Sequence, residues 1–447
     1  MANLKYIINT ESLIAKYIVA FALGVIIGLK LLPVPVVVGL QVILAIVCVL
    51  HCLKGNITGF FIWLPYAVYN EVYVRGFARW FPYLAMQYLY IICFAILFFT
   101  IPRLKKPHSN AWIFLAIFSF VEIANNVYPD KAAIGRQILT QSFALLATVV
   151  WASYNVLKPA LINKLLDNAK VACVVLAGIV FVAHITGKIN YGLYSNSESS
   201  NGLAPVQLSG YLGFGCILFF LSIMNPQDLK NRTINIVVLA VVATVMVLTF
   251  SRGGLYFLGA VVCLFFFYNR DKLASYARVL IFIPIAAFIY FYVVNQTGGK
   301  IVARYEQEGT SNRDVLINIG FTIFADHMIF GVGTGNFNTT IVREKLYSEE
   351  SGAHNEYVRA AAEHGVIGIF FYWGFYLFLL FEILKRQRLQ KQYAIYFFAL
   401  FCLIIIHNGL KIAIQPLVIM LVVATPTLIY QPKKHVYNRE YSDQEFA

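Results

Sequence analysis

The amino-acid sequence predicts an all-α fold: a polytopic integral membrane bundle of about 12–14 transmembrane helices, with surface helices in one long extracytoplasmic loop. Of the 447 residues, 60% are hydrophobic and 13% are charged, a balance well outside that of ordinary soluble domains. Apolar windows of about 20 residues, the length that crosses a bilayer, recur from residue 13 to residue 431 with one long interruption. We therefore expect a single transmembrane domain, residues 1–447, without a separate soluble domain.

The first apolar run, residues 12–32, is expected to be a retained span. It lacks a small-residue cleavage site and continues through Pro33 and Pro35 into the next run, which is not the pattern of a removed signal peptide. The predicted spans are residues 13–32, 34–53, 57–74, 80–101, 111–128, 133–156, 169–186, 203–224, 233–250, 254–268, 279–295, 365–384, 393–409 and 411–431.

The basic residues predict the topology. The net charge is +14, but most lysines and arginines fall in short loops between apolar segments, and alternate loops hold most of them. Cytoplasmic termini then satisfy the positive-inside rule, so the charge is explained by topology and no nucleic-acid partner is expected. This arrangement puts residues 296–364 on the extracytoplasmic face.

The loop 296–364 has about 69 residues, far more than ordinary connections, and loops of that size are usually functional or disordered. Within it, Val315, Ile319, Thr322 and Ile323 recur at helical spacing. We therefore expect an ordered loop whose helix, over residues 312–330, lies along the membrane surface.

His354 is the strongest catalytic candidate. Residues 352–363 favour a helix, through three successive alanines, that leads without a break into the span 365–384, with His354 in its first turn. An imidazole titrates near neutral pH and can accept a proton from an attacking hydroxyl, with Glu356 or Glu363 as an orienting partner. The alternative is a solvated histidine near an aromatic belt.

Arginines on the same predicted face could hold a phosphate. Arg252 lies in a short turn between two spans, where Gly253 and Gly254 would let the backbone come close to an anion. A snorkelling arginine at a helix end is the alternative. Arg313 opens the loop helix, and Arg359 is a further cation of the same region.

Three other features of the sequence do not predict a catalytic or ligand-binding site. The glycine-rich run 331–337 could cradle an anion, but a tight turn explains it equally well, and it lacks the strand and helix of a nucleotide-binding fingerprint. Glu122 and Arg136 are expected to form a structural ion pair between neighbouring spans. Neither the histidines with carboxylates nor the cysteines show metal-site spacing, so no metal is expected.

The order of these motifs resembles the O-antigen ligase superfamily, which includes lipopolysaccharide O-antigen ligases, O-antigen and exopolysaccharide polymerases and some protein O-oligosaccharyltransferases. The resemblance covers residues 250 to about 385. It is carried by Phe250-Ser251-Arg252-Gly253-Gly254, Asn312-Arg313-Asp314, the run from Phe330 to Phe337, Ala353-His354-Asn355-Glu356-Tyr357 and Glu363-His364-Gly365-Val366-Ile367-Gly368.

The resemblance implies transfer of a glycan from an undecaprenyl diphosphate carrier to an acceptor hydroxyl, at the periplasmic face of the bacterial inner membrane and without metal or other cofactor. The acceptor would be the lipid A core for a ligase, or a carrier-linked glycan for a polymerase. His354 matches the catalytic histidine of the family, and Arg252 and Arg313 match its arginines. A further arginine of an earlier outer loop is missing here, with Lys188 or Arg359 as the candidate substitute.

Two other functions remain open. A non-enzymatic transporter or flippase of lipid-linked glycans also has many spans, although such proteins often show two related halves and this sequence has no internal repeat. A protein O-oligosaccharyltransferase is less expected, because those members carry an additional carboxyl-terminal region and only about sixteen residues follow the last predicted span. The sequence does not distinguish ligase from polymerase.

Overall fold

The computed structural model describes residues 2–424 apart from 79, 127–131, 187–188, 194–196, 226–230, 272–275, 278–279, 308–312 and 410–411. Regular secondary structure in this part of the chain is helical throughout, which confirms the predicted all-α fold. The amino-terminal half contains α1 (Ala2–Gly28), α2 (Val34–Leu53), α3 (Ile57–Phe77), α4 (Ala85–Thr100), α5 (Ala111–Ala124), α6 (Ala132–Ser153), α7 (Pro159–Ile185), a 3₁₀ turn (Glu198–Ser200) and α8 (Pro205–Met224).

The carboxyl-terminal half adds further bundle helices and the short helices of the long loop. They are α9 (Arg232–Leu248), α10 (Gly253–Tyr268), α11 (Phe282–Gln296), α12 (Lys300–Gln307), α13 (Arg313–Asp326), α14 (Phe337–Arg343), α15 (Glu356–Gly368), a π-helical turn (Ile369–Trp373), α16 (Gly374–Leu384), α17 (Arg388–Asn408) and α18 (Ile414–Val423).

The chain is a polytopic helical membrane protein. Each predicted span overlaps a described helix, and five helical stretches of the described chain are both long and apolar enough to cross a bilayer. Other apolar helices, such as α4, α9 and α10, are shorter. The total of 12–14 spans and the side on which each loop lies stay predictions. The five longer stretches are Val34–Leu53, Pro159–Ile185, Glu198–Met224, Glu356–Leu384 and Gln390–His407.

Small residues let neighbouring bundle helices approach closely, as is usual between membrane helices. A methyl group added at Gly24 of α1 would lie 2.1 Å from the carbonyl oxygen of Val175, and one at Gly178 of α7 would lie 2.5 Å from that of Phe21. These two glycines therefore set the contact between α1 and α7.

The long loop has a hydrophobic core of its own, built from α13, α14 and α15 around the buried Ile323, Phe337, Ile341 and Ala362. The expectation of an ordered loop with a helix is confirmed for its described residues. The predicted apolar face was partly wrong, because Val315 is 41% exposed while Leu316 is buried.

The reason lies in how α13 packs. The helix rests against α15 through Gly320, where an added methyl group would lie 2.2 Å from a methyl carbon of Val358.

α15 is broken at Gly365, where φ is 62° and ψ is −150°, so the expectation of a continuous helix into the span 365–384 is wrong. The loop strap, residues 328–333, explains the break. Val366 donates its N–H to the carbonyl of Met328 (2.8 Å), and the carbonyls of Ala362 and Glu363 accept from Val332 (3.0 Å) and Gly333 (2.9 Å). The break frees helix carbonyls that the strap then satisfies.

Candidate functional site

His354 directly precedes the cap of α15. The side chain of Asn355 accepts hydrogen bonds from the N–H groups of Tyr357 (3.0 Å) and Val358 (3.4 Å), so the helix begins at Glu356. His354 is not in the first turn, as expected from the sequence, but in a left-handed conformation with φ of 50°. Such a conformation is uncommon for a residue with a side chain and is concentrated at functional sites. Its side chain is exposed.

A cavity of about 180 Å³ connects this residue with distant parts of the chain. It brings His354 together with Arg313, as expected if both serve one site, and with the end of α17. The described residues that line it are Tyr256 and Phe257 from α10, Arg313 and Ile317 from α13, Ala353, His354 and Asn355 before α15, and Leu403, Ile406 and His407 from α17.

Arg313 is held by backbone at the first turn of α13. Its Nη1 donates a hydrogen bond to the carbonyl oxygen of His407 (3.2 Å). Burial lowers the pKa of Arg313, and the nearby Tyr256 opposes that change. An arginine is nevertheless charged at neutral pH, so a fixed cation faces the cavity beside His354.

Arg252 lies next to the cavity lining. Its carbonyl accepts the N–H of Tyr256 (3.1 Å), so the lining residues of α10 follow it by one turn. Its Nη2 donates to the carbonyl of Arg304 (2.8 Å), and its guanidinium lies 4.9 Å from the centre of the Tyr305 ring. Burial raises the pKa of Tyr305 while Arg252 opposes that change. Arg252 is thus braced by α12.

The two glycines after Arg252 serve packing. A methyl group at Gly253 would lie 2.5 Å from the His407 ring, and one at Gly254 would lie 2.5 Å from the carbonyl oxygen of Ser209. The glycines were expected to let backbone approach a phosphate; in the structure they let α10 approach α17 and α8. The ring of His407 thereby sits against the start of α10.

Arg359 lies in a buried ionic cluster and is only 7% exposed. Its Nη2 donates to Glu122 (2.8 Å), its Nη1 donates to Glu363 (2.5 Å), and its Nε donates to Glu356. Glu356, the predicted partner of His354, is therefore engaged with Arg359. The predicted pair of Glu122 with Arg136 is wrong, since Glu122 meets Arg359 and Arg136 is exposed.

The part of the chain that holds these residues is similar to a known protein family. Residues 236–373 match a family described as O-Antigen ligase. The chain carries an O-antigen ligase domain. This confirms the resemblance drawn from the motifs, and the matched stretch contains Arg252, Arg313, His354 and Arg359. No curated protein matches the chain.

The O-antigen ligase domain implies, in general terms, a membrane enzyme of the ligase or polymerase type that acts on lipid-linked glycans and an acceptor. The match begins in α9 and ends with the π-helical turn after α15. It therefore spans the turn that carries Arg252, the long loop and the cavity lining apart from the residues of α17. The helices from α1 to α8 lie outside the matched stretch.

The glycine-rich run of the O-antigen ligase domain docks on α5 and α15. A methyl group at Gly331 would lie 2.2 Å from the backbone carbon of Glu363. Thr334 Oγ1 donates to the carbonyl of Glu122 (2.6 Å), and the N–H of Phe337 donates to the Glu363 carboxylate (3.3 Å). These contacts are those of a tight turn packed against two helices and not those of an anion-binding loop.

Sequence reasoning missed Tyr256 and His407 as residues of the cavity. A signal for His407 was present, because Gly409, with φ of 60°, ends α17 two residues later and a basic residue near a helix end is favourable. Lys188, a candidate third cation, lies outside the described residues. Within the described chain, no group of three or more histidine, cysteine, aspartate or glutamate side chains is placed to hold a metal ion.

Proposed function

We propose that the protein is a membrane glycosyltransferase that moves a glycan from an undecaprenyl diphosphate carrier to an acceptor hydroxyl, at the periplasmic face of the bacterial inner membrane. The observation that carries the proposal is the cavity shared by His354 and Arg313, two residues of the O-antigen ligase domain. A base next to a fixed cation is the pair of groups that this transfer needs.

The acceptor hydroxyl is activated by His354. The imidazole takes the proton of the hydroxyl as its oxygen attacks the anomeric carbon of the donor sugar. The new glycosidic bond forms as the bond between the anomeric carbon and the diphosphate oxygen breaks. The carrier leaves as its diphosphate, and the proton remains on the histidine until solvent removes it.

The growing negative charge of the diphosphate is stabilised by Arg313 and Arg252. Arg313 is anchored through His407, and Arg252 is braced by Arg304 and Tyr305, so neither guanidinium needs much reorganisation during the reaction. Pre-oriented donors of this kind are most effective in a partly dehydrated site. The two arginines thus make the diphosphate a better leaving group.

Glu356 and Arg359 are assigned a positioning role. With Glu122 and Glu363 they fix the first two turns of α15, and those turns begin immediately after His354. Three carboxylates already surround Arg359, so a diphosphate would have to displace at least one of them. We therefore exclude Arg359 from the proposed diphosphate site.

The decisive assay uses purified full-length protein in detergent with an undecaprenyl diphosphate-linked repeat unit and a candidate acceptor. Formation of a longer glycan, or of a glycan on the acceptor, is the expected result. Flipping across a membrane cannot be the measured event, because no sealed membrane is present. Unchanged substrate under conditions that keep the protein folded would contradict the proposal and favour a transporter.

The acceptor is identified in a strain that lacks the gene. Loss of glycan from the lipid A core, with polymer retained on the carrier, indicates a ligase. Caps of a single repeat unit indicate a polymerase. A glycan that is normal in both respects would contradict both forms of the proposal.

A further inference from the structure

A second and larger cavity, of about 1050 Å³, lies at the opposite end of the bundle from His354. The directions of two helices show this. Tyr393 at the start of α17 lines the large cavity, whereas His407 at its end lines the small one, and the two residues are about 21 Å apart at the usual rise of a helix. α9 likewise runs from Asn235, at the large cavity, towards the turn that holds Arg252.

A buried cation lines this cavity. Lys170 of α7 is 6% exposed, and its ammonium contacts Asp167 (2.8 Å) and Ser222 (3.1 Å). Asp167 is 67% exposed, so the lysine has a solvent-facing partner on one side and the cavity on the other. Ionisable side chains within membrane helices are costly and usually mark a functional site.

Asn235 of α9 supplies an independent observation. It is fully buried, it lines the cavity, and neither its amide nitrogen nor its amide oxygen has a hydrogen-bond partner among the described residues. The side-chain oxygen of Asn70, also on the lining, is in the same situation. A buried polar group without a partner is destabilising, so these amides favour a polar ligand.

The remaining wall of the cavity is largely apolar. Leu40, Leu44, Val175 and Leu218 line it, and Lys16 adds a second cation nearer the exposed rim. The volume is just above the range of about 300–1,000 Å³ usual for small-molecule sites. A ligand that matches this lining has an anionic, hydrogen-bonding head and an apolar tail.

We propose that this cavity binds an anionic phospholipid of the leaflet that faces away from His354, with the phosphate near Lys170, head-group oxygens on Asn235 and Asn70, and an acyl chain along the leucines. Cationic pockets between membrane helices recognise acidic lipid head groups in this way. The site is separate from the transfer site and does not depend on its proposed chemistry.

The test measures thermal stability of the purified full-length protein in detergent during titration with phosphatidylglycerol, phosphatidylcholine or inorganic phosphate. A bound ligand at concentration L stabilises the folded state by RT ln(1 + L/Kd), so the melting temperature begins to rise once the ligand concentration approaches Kd. We expect phosphatidylglycerol to raise the melting temperature at concentrations at least tenfold below those at which either of the other two probes does. Lys170→Met should raise at least tenfold the phosphatidylglycerol concentration that gives the same shift in melting temperature.

Lys164→Met is the matched control, because Lys164 lies on the same helix, is exposed and does not line the cavity. It should leave the titration unchanged. Leu218→Trp, which fills the cavity without changing charge, should abolish the response, and it decides the question if Lys170→Met does not fold. Equal responses to both lipids, an unaffected Leu218→Trp variant, or a Lys170-dependent response to inorganic phosphate alone would each overturn the proposal.

Discussion

The guanidinium of Arg313 donates a hydrogen bond to the backbone carbonyl of His407, with 3.2 Å between Nη1 and the oxygen. This bond joins the first turn of a loop helix to the last turn of α17. Because the acceptor is backbone, the position of the cation is set by the fold and not by a mobile side chain. The cavity that Arg313 shares with His354 is therefore preorganised on its cationic side.

Replacing His354 with alanine should abolish transfer while leaving protein level and membrane insertion normal. The side chain is exposed, so its removal creates no buried void, whereas loss of a general base typically costs about 10²–10⁴ in rate. Initial rates with purified lipid-linked donor provide the measurement. His327→Ala is the control, since His327 lies in the same loop, is partly exposed and faces Glu344 at 3.5 Å. Equal losses in the two variants would argue against a base.

Arg313→Lys and Arg252→Lys should both lower turnover by about 10²-fold, the size of effect seen when one oriented donor to a developing anion is lost. A lysine keeps the charge but cannot reproduce the planar, multidentate donor set of an arginine. Rates at saturating donor are the readout. Arg343→Lys, at an arginine that is 63% exposed, should be neutral. Full activity of both lysine variants would mean that charge alone suffices.

The sequence predicted the all-α class, the helical loop and the shared location of His354 and Arg313, because those rest on apolar windows and on motif order. It could not predict the partner of Glu122. That side chain meets Arg359 because α5 packs beside α15, and no local pattern records which distant helices become neighbours. Arg136 was nearer in sequence and proved to be exposed.

The sequence pattern also did not predict the backbone conformation of His354. The alanine run predicted a helix, and the helix exists, but it is capped by Asn355 and begins at Glu356, after the histidine. The break at Gly365 escaped prediction because a glycine inside an apolar helical pattern is usually tolerated. Its cause is the strap around Met328, which is distant in sequence and close in space.

Arg359→Met should destabilise the folded protein by about 3–5 kcal/mol, the usual cost of removing one partner from a buried ionic cluster. The carboxylates of Glu122, Glu356 and Glu363 would lose their shared counter-charge. A lower melting temperature of the detergent-solubilised protein is the expected observation.

The positioning role of Arg359 is separated from diphosphate binding by a second variant. Arg359→Met with Glu122→Gln removes one surplus negative charge and should recover part of the stability. In the folded fraction the KM for donor should be close to that of the wild type. A large rise in that KM, with stability recovered, would instead return Arg359 to the diphosphate site.

Gly365→Ala should lower the free energy of unfolding by about 1–3 kcal/mol, the usual cost of a strained backbone conformation. Gly365 has a positive φ, and an added methyl group would lie 2.4 Å from the carbonyl oxygen of Met328. Gly259→Ala is the matched control, because a methyl group there meets no atom within 4 Å. Melting temperatures of the two variants should differ clearly. A neutral Gly365→Ala variant would show that the strap can be displaced without loss.

Transfer should invert the configuration of the anomeric carbon. Retention by double displacement needs an enzymic nucleophile, usually a carboxylate, that forms a covalent glycosyl intermediate before the acceptor attacks. The described residues that line the His354 cavity include a base and a cation but no aspartate or glutamate. Direct attack by the acceptor is then the available route, and one displacement reverses the configuration. The anomeric coupling constants of donor and product, measured by NMR, test this. Retention in the product would contradict direct displacement and would remove His354 from the role of sole activating group.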